Sequence, residues 1–269
     1  MKIGGKEFVM SGHTYVMGIL NVTPDSFSDG GHYNQMDAAL SHVEEMIQDG
    51  ADIIDVGGES TRPGHTKITV SEEINRVVPI IRAIKERFDI PVSIDTYKSE
   101  VAEESLAAGA DLLNDIWGFL YDEKMAELAA KTGVPVCLMH NRDNTDYKDF
   151  CTEYLEDMKR CLLVAEKYGV KKDQIILDPG VGFGKNYEHN LLVLKHLDEF
   201  VDLGYPVLLG TSRKSVIGLT LDLPANEREE GTYVTTVLAV QSGCQFVRVH
   251  NVKGNVRAIR MMEAIKNAG

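Results

Sequence analysis

The sequence predicts one α/β domain, a single (β/α)8 TIM barrel over residues 1–269 with a short N-terminal flap or hairpin. Three observations lead to this prediction. The chain has 269 residues, which matches the typical length of such a barrel. Eight short apolar runs follow one another, with helical patterns between them. The junctions between these elements are short, which requires parallel strands and right-handed crossovers.

Residues 1–12 are expected to form the N-terminal flap or hairpin. Within them, Lys6–Met10 has a β-like sequence. Each later apolar run is a predicted strand, and seven of the eight end where a carboxylate, amide, hydroxyl or imidazole begins the loop. The carboxyl ends of barrel strands form one rim that carries function, so we expect these polar ends to converge on one pocket. The predicted strands are Tyr15–Leu20, Asp52–Val56, Val92–Ile94, Asp111–Leu113, Val134–Met139, Gln174–Leu177, Val207–Leu209 and Gln245–Val249. Their ends are Asn21, Gly57-Gly58-Glu59, Asp95, Asn114-Asp115, His140-Asn141, Asp178, Thr211-Ser212 and His250.

Helical patterns separate the strands. Residues 36–49 and 71–88 each place apolar side chains on one face. Thr69 with Glu72 fits a capping box, and Asp122 is a predicted N-cap. Further helices are expected near 98–108, 122–132, 149–168, 187–203, 226–242 and 253–267. Six helices end at a glycine, which tolerates the left-handed conformation of a helix C-terminus: Gly50, Gly109, Gly133, Gly169, Gly204 and Gly243.

The composition argues against several classes of protein. A net charge of −13 is unsuited to a nucleic-acid-binding surface, which needs a basic stripe. No apolar run approaches the length of a membrane span and the N-terminus lacks a signal-peptide pattern, so we expect a cytoplasmic protein. The cysteines form no C-x-x-C pair and are predicted to be buried apolar residues in a reducing compartment. They are Cys137, Cys151, Cys161 and Cys244.

Asp95, Asn114 and Asp178 are predicted ligand-holding residues at the ends of three strands. Short polar side chains that point into a barrel mouth are costly unless a ligand or partner satisfies them. As a set they suit a planar heterocycle with an amino–imino edge, because a carboxylate accepts two parallel hydrogen bonds from such an edge. A metal site is the competing interpretation, although no cluster at ligand spacing supports it.

Cationic side chains gather at the same predicted rim of this acidic chain, which indicates an anionic ligand such as phosphate or carboxylate. The turn Gly210–Ser215 opens a helix at a barrel position where anions commonly bind. Arg248 and His250 share one face of the last strand, which we expect to point into the barrel. The two longest predicted strand-to-helix loops, 21–36 and 57–70, are expected to be lids or binding loops. The predicted positive cluster is Arg62, Arg213, Lys214, Arg248 and His250.

Taken together, these segments closely resemble the dihydropteroate synthases of the folate pathway. The likeness covers about residues 14–265, and its first two motifs are highly specific. The matching stretches are Met17–Gly31, Gly57–Gly64, Ser93–Thr96, Asn114-Asp115, Asp178–Lys185, Ser212–Ser215 and Arg248–His250.

The resemblance implies a transferase that joins 6-hydroxymethyl-7,8-dihydropterin diphosphate to 4-aminobenzoate, forming 7,8-dihydropteroate and diphosphate. The expected mechanism is dissociative, with diphosphate leaving before the aniline nitrogen adds. Mg²⁺ is the implied cofactor. The implied partners are these small-molecule substrates and a second copy of the chain, with neither nucleic acid nor membrane. Homodimer contacts and barrel packing explain one apolar helix equally well, through Val234, Val237, Leu238 and Val240.

At the pterin end, the resemblance assigns Asp95, Asn114 and Asp178 to the pterin ring. Lys214 would contact the pterin carbonyl and ring nitrogen, and Arg248 would cover the ring face. Apolar contact would come from Ile116, Met139 and Phe183.

At the other end, Asn21 would ligate Mg²⁺ on the diphosphate, and His250 and Arg62 would contact diphosphate oxygens. The aminobenzoate would be framed by Phe27, Thr61, Pro63, Lys214 and Ser215. The residues expected to act in catalysis are Arg62, Asp95, Lys214, Arg248 and His250. The segments 140–142 and Asn226–Gly231 receive no role.

Three other functions match parts of this pattern. A methyltetrahydrofolate-binding methyltransferase shares the pterin barrel, but it needs a corrinoid partner and no aminobenzoate pocket. A Schiff-base aldolase could use Lys214, although the Ser-Arg-Lys-Ser context suits anion binding better. A catalytically silent pterin-binding paralogue should have lost part of a set that is present in full: Asn21, Arg62, Lys214 and Arg248.

Overall fold

The structure, a computed structural model, describes residues 1–22, 32–60 and 67–269, with side chains from Met36 onward in the second range. Four predicted site residues lie outside the described residues, and their roles stay predictions: Phe27, Thr61, Arg62 and Pro63.

An antiparallel hairpin and a parallel barrel make up the strands of the described residues. β1 (Lys2–Ile3) pairs with β2 (Lys6–Glu7) in the hairpin, so the β-like stretch predicted to reach Met10 is shorter than expected. The barrel strands are β3 (Tyr15–Asn21), β4 (Ile53–Gly57), β5 (Val92–Asp95), β6 (Leu112–Asp115), β7 (Val136–Met139), β8 (Ile175–Asp178), β9 (Leu208–Leu209) and β10 (Phe246–Val249). They are parallel in the order β8-β7-β6-β5-β4-β3-β10-β9, and Leu177 bridges to Val207 to close the ring. The predicted α/β barrel is confirmed.

Helices surround the barrel. They are α1 (His32–Gln48), α2 (Val70–Arg87), α3 (Ser99–Ala107), α4 (Lys124–Thr132), α5 (Phe150–Tyr168), α6 (Tyr187–Lys195), α7 (Leu197–Val201), α8 (Ser215–Leu221), α9 (Glu229–Ser242) and α10 (Val252–Lys266). None of the helices among the described residues has the length and apolar content that a membrane crossing requires.

Local sequence signals place most helix ends correctly. The Thr69 hydroxyl accepts a hydrogen bond from the Glu72 N–H at 3.2 Å at the start of α2. All six predicted terminal glycines have positive φ angles, between 71° and 109°. Asp122 instead precedes the N-cap of α4, and its carboxylate accepts from the N–H groups of both Lys124 and Ser99. This carboxylate therefore also stabilises the start of the neighbouring α3.

One helix prediction and one cysteine prediction are wrong, and one further helix begins later than expected. The helix predicted at 187–203 breaks at His196, whose backbone is not helical, and the residues after the break turn inward to bury Leu197 and Phe200. The helix predicted from 226 begins only at Glu229, because the Arg228 side chain holds the preceding turn by donating to the Leu223 carbonyl. Cys151 is exposed rather than buried, since it lies on the solvent side of the first turn of α5.

The barrel interior has an apolar layer below a polar layer. Alternate residues of each strand point inward. The hairpin segment adds Ile3 and Phe8 to the apolar layer, which closes the amino-terminal end of the barrel. Asp55 and Arg248 each lie two residues beyond a member of this layer, toward the carboxyl end of the strand, and Asp95 is the last residue of β5, so the polar residues share one end. The apolar layer contains Met17, Ile53, Leu112, Cys137, Ile176, Leu208 and Phe246.

Candidate active site

Strand register aligns the polar strand ends along one arc of the rim. Asn21 pairs with Gly57, Gly57 with Asp95, and Asp95 with Asn114. Further along the barrel, Asp178 ends β8. These residues come from distant parts of the sequence, and the parallel register brings them to the same end of the molecule.

Arg248 lies in the barrel mouth between two carboxylates. Its Nε donates to Asp55 Oδ2 at 2.6 Å, and its Nη2 donates to Asp95 Oδ2 at 2.7 Å. Asn114 Nδ2 also donates to Asp55, at 3.3 Å. Sequence reasoning missed Asp55. The signal was a charged residue at an inward position of an otherwise apolar strand, which demands a buried partner.

Burial and neighbouring charges shift the pKa values of Asp95 and Arg248. Burial raises the pKa of Asp95 to about 7; Arg248 opposes the rise and Asp55 adds to it. Burial also opposes the charge of Arg248, but the Asp55 and Asp95 carboxylates outweigh it and raise the Arg248 pKa. Asp95 Oδ1 is buried and has no hydrogen-bond partner within the described residues, so this carboxyl carries an unsatisfied acceptor at the mouth.

Asp178 and Lys214 both lie close to Gly210. A Cβ at Gly210 would stand 3.5 Å from Asp178 Oδ2, 3.8 Å from Arg248 Cβ and 3.9 Å from Lys214 Nζ, so a side chain there would occupy the space between them. The Gly180 N–H donates to Asp178 Oδ1 at 2.7 Å. Burial raises the pKa of Asp178, and the Lys214 ammonium lowers it. Burial lowers the pKa of Lys214 to about 8, against the effect of Asp178.

Two cations of the predicted positive cluster have acidic partners in the described part of the pocket. Arg248 is balanced by Asp55 and Asp95. Arg213 pairs through Nε with Glu229 of α9, which compensates its charge. The cluster as a whole stays a prediction, because Arg62 lies outside the described residues. A balanced interior suits a neutral polar heterocycle better than a free anion.

Three predicted apolar contact residues form one cluster at this mouth. Ile116 and Met139 are buried, and Phe183 packs against them. Lys214 Nζ stands 4.8 Å from the centroid of the Phe183 ring, which links the cluster to the polar group. Two further aromatic residues complete the cluster: Tyr97 and Trp117.

The turn after β9 holds the last predicted rim residues. Ser212 Oγ lies 2.9 Å from His250 Nδ1, and the His250 N–H donates to Ser212 Oγ at 3.2 Å. Ser215 is exposed and begins α8, and Lys214 precedes it as the N-cap residue. The structure therefore places His250 and Ser215 on the rim, close in sequence or by contact to the Lys214 turn.

A buried ionic cluster, also missed from the sequence, flanks the undescribed residues 61–66. Lys98 Nζ donates to Glu59 Oε2 at 2.7 Å, to Glu73 Oε2 at 2.6 Å and to the Ile68 carbonyl at 2.9 Å. The Tyr97 hydroxyl donates to Glu59 Oε1 at 2.7 Å. The cluster ties the chain before residue 60 to the chain after residue 67.

The raised pKa of Asp95 should make the stability of the folded protein depend on pH. Its pKa is higher in the folded protein than in the unfolded chain, so the folded state holds more protons between about pH 4 and pH 7 and loses stability as pH rises through that window. Urea titrations at pH 5 and pH 8 measure the loss of unfolding free energy between these two pH values. In Asp95→Asn this loss should be smaller than in the unmodified chain, by on the order of 1–3 kcal/mol. An unchanged difference between the two pH values would contradict the assignment.

The sequence of this chain matches a known protein family. The sequence model described as "Pterin binding enzyme" matches residues 17–250. A dihydropteroate synthase from Clostridium beijerinckii is 61% identical over 266 residues, which cover 98% of this chain and 99% of that protein. This chain belongs to the dihydropteroate synthase family.

Solved structures agree with this assignment. A dihydropteroate synthase from Clostridium difficile, crystallised in the presence of pteroic acid, is 53% identical with a TM-score of 0.92 and covers 95% of this chain and 98% of its own. A Xanthomonas albilineans dihydropteroate synthase with 4-aminobenzoic acid is 38% identical with a TM-score of 0.94. The match covers 99% of this chain and 98% of that one. The predicted family and its transferase class are thus confirmed.

Proposed function

We propose that this dihydropteroate synthase family member joins 6-hydroxymethyl-7,8-dihydropterin diphosphate to 4-aminobenzoate. The observation that carries the proposal is the group around Gly210: a buried carboxylate, Asp178, faces Lys214 and Arg248 at the barrel mouth. The ligands crystallised with the two relatives support it, because pteroic acid contains a pterin and 4-aminobenzoic acid is the second substrate.

The pterin ring would bind in the balanced interior of the mouth. The Asp178 carboxylate would accept from the 2-amino group and the N3–H, and the Asp95 side chain, whose Oδ1 has no partner among the described residues, would contact another ring N–H. Asn114 would add an amide contact. Lys214 would donate to the pterin carbonyl, and Arg248, held by its two carboxylates, would lie against the ring. The apolar cluster would contact the remaining ring edge.

We propose a dissociative displacement. The bond between the pterin methylene carbon and the diphosphate oxygen breaks, and the electron pair leaves with diphosphate. The ring nitrogens delocalise the cation that develops, and the buried carboxylates Asp95 and Asp178 lie where they favour it. The aniline nitrogen then forms the C–N bond and loses its proton. This chain would contribute orientation and electrostatics, with no covalent enzyme intermediate.

Mg²⁺ is proposed as the metal that accompanies the diphosphate. Among the described residues, no group of three His, Cys, Asp or Glu could hold a metal alone. Mg²⁺ commonly uses few protein oxygens together with substrate phosphates and water, so a single amide oxygen at a rim position fits it. Asn21, at the end of β3, would supply that oxygen. When bound, Mg²⁺ neutralises charge on the leaving diphosphate.

We also propose that the chain acts in the cytoplasm as a homodimer. Val234 on α9 remains 70% exposed, whereas Val240 on the same helix is buried, so barrel packing accounts for only part of this apolar set. Met261 and Ile265 on α10, which packs against α9, are also exposed. An uncovered apolar face of this kind fits a second copy of the chain. Sedimentation of Val234→Asp should then show monomer where the unmodified chain shows dimer.

A coupled assay tests the reaction. Purified protein, pterin diphosphate, 4-aminobenzoate and MgCl₂ should release diphosphate and form a product with the mass of 7,8-dihydropteroate. Release should require 4-aminobenzoate. Absence of product under these conditions, or methyl transfer from methyltetrahydrofolate to a corrinoid instead, would refute the proposed function.

A further inference from the structure

A buried lysine outside the proposed substrate contacts holds the segment that follows β8. Lys185 is 8% exposed. Its Nζ lies 2.7 Å from His140 Nδ1, 2.9 Å from the Gly180 carbonyl and 3.0 Å from the Phe183 carbonyl. Two of these three partners lie within residues 179–184, so the lysine folds this segment back onto itself and onto the end of β7.

Glycines make this close packing possible. A Cβ on Gly180 would overlap the carbonyl oxygen of His140, and a Cβ on Gly184 would stand 2.7 Å from the Arg142 nitrogen. Both glycines also have positive φ angles, of 68° and 54°. The segment 179–184 is therefore pressed against residues 140–142, a stretch for which the sequence indicated no role.

The segment carries atoms that face the proposed pterin site. The Gly180 N–H donates to Asp178 Oδ1 at 2.7 Å. The Val181 carbonyl accepts from Lys214 Nζ at 2.5 Å, and the Phe183 ring lies beside the same ammonium. A shift of this segment would displace both charged groups that are proposed to grip the pterin.

Hydrogen-bond geometry determines the protonation of Lys185. Asp157 accepts from Arg142 Nε, and although burial opposes it, the His140 and Arg142 donors lower the Asp157 pKa to about 2. Because Asp157 is an anion, His140 Nε2, 3.3 Å away, must carry the imidazole proton and Nδ1 must accept. All three partners of Lys185 are then acceptors, which matches the three N–H donors of an ammonium group.

Burial works against the charge of Lys185. It lowers the Lys185 pKa well below its usual value, Lys214 and Arg142 add to that effect, and Asp178 and Asp157 oppose it. The three acceptors around Nζ are what favour the ammonium form. Burial and the Lys185 charge lower the pKa of His140 to about 4, so the imidazole stays neutral.

We propose that Lys185 is a positioning residue that, as an ammonium ion accepted by a neutral His140, fixes segment 179–184 and thereby sets Asp178 and Lys214 for the pterin. This inference rests on the proposed function. It assigns a role to residues that make no direct contact with substrate. It also predicts an electrostatic effect, because Lys185 is one of the cations that favour the Asp178 carboxylate, together with Lys214 and Arg248.

Lys185→Met tests the proposal, because methionine keeps the length of the side chain and removes the charge and all three donors. We expect kcat/KM for the pterin diphosphate to fall about 100-fold, the scale of an ångström-sized misplacement. The KM for 4-aminobenzoate should change less than about threefold, well under a factor of 10. The acid limb of kcat/KM against pH should move to higher pH, because the Asp178 carboxylate loses a cation. A packing role alone would not move that limb.

Two variants of His140 form a matched pair. The amide oxygen of His140→Asn stands near the position of Nδ1 and can accept from Lys185, whereas His140→Leu cannot. We expect His140→Asn to keep kcat/KM within about threefold of the unmodified chain, and His140→Leu to lose roughly as much as Lys185→Met, about 100-fold. Circular dichroism and thermal melting identify any variant that fails to fold.

The outcomes separate this inference from the proposed function. An unmodified chain without turnover refutes the function, whereas an active chain with an unaffected Lys185→Met refutes the positioning role. If Lys185→Met does not fold, equal activities of His140→Asn and His140→Leu overturn the proposal. An activity-independent readout is the ¹⁵N NMR spectrum of labelled histidines, with His140→Asn for assignment. An Nε2–H tautomer with a pKa well below 6.5 supports the network, and an Nδ1–H tautomer overturns it.

Discussion

Asp178→Asn should lower kcat/KM for the pterin diphosphate by roughly 100- to 1000-fold, which corresponds to about 3–4 kcal/mol. A carboxylate can accept two parallel hydrogen bonds from the amino–imino edge, whereas an asparagine offers one acceptor and turns its NH₂ toward a second donor. The substitution also removes the anion that opposes the lowered pKa of Lys214. Steady-state kinetics with varied pterin diphosphate and saturating 4-aminobenzoate measure the effect.

Asp173→Asn is the matched control, because this exposed aspartate precedes the same strand and lies at the opposite end of the barrel from the mouth. Its kinetics should match those of the unmodified chain. Substantial turnover of Asp178→Asn at saturating pterin diphosphate, with KM unchanged, would show that Asp178 does not hold the pterin.

Arg248→Met should destabilise the folded protein by about 3–5 kcal/mol, because it leaves two buried carboxylates without their cation. Asp55 and Asp95 accept from Arg248 at 2.6 and 2.7 Å. Urea titration measures the loss of unfolding free energy. The loss should be larger at pH 8 than at pH 5, since the pKa of Asp95 rises further without Arg248 and protonation at low pH removes the uncompensated charge.

A double-mutant cycle checks the cause of this loss. In an Asp55→Asn background, Arg248→Met should cost clearly less, because one of the two carboxylates is already neutral. Arg257→Met, at an exposed position of α10, is the surface control and should change stability by less than about 0.5 kcal/mol. Equal losses at both pH values and in both backgrounds would contradict the ionic account of the cluster.

The barrel could be predicted because its local and global signals agree. The terminal glycines, the apolar runs and the polar strand ends each reflect a requirement of one short segment. They can therefore be recognised in the sequence without knowing the tertiary contacts. Asp95, Asn114 and Asp178 ended up at one rim because parallel strands share a direction. The break at His196 could not be predicted in this way, since it depends on where Leu197 and Phe200 find space in the core.

The side chains that pair with the predicted site residues were harder to predict than the site residues themselves. Asp55 lies within an apolar strand, and only the fold shows that Arg248, 193 positions away, meets it. The pairing of Arg213 with Glu229 of α9 was missed for the same reason, because it depends on how the elements pack. Lys185 was visible only as part of a glycine-rich motif, and its contact with His140 depends on how two loops pack.

A crystal structure with an unreactive pterin would show whether the pterin binds at Asp178. We expect the amino–imino edge of the ring to lie within hydrogen-bond distance of the Asp178 carboxylate, with Lys214 on the ring carbonyl and Arg248 against the ring face. A pterin bound elsewhere on the molecule, with Asp178 and Lys214 contacting only the protein backbone, would contradict this binding mode.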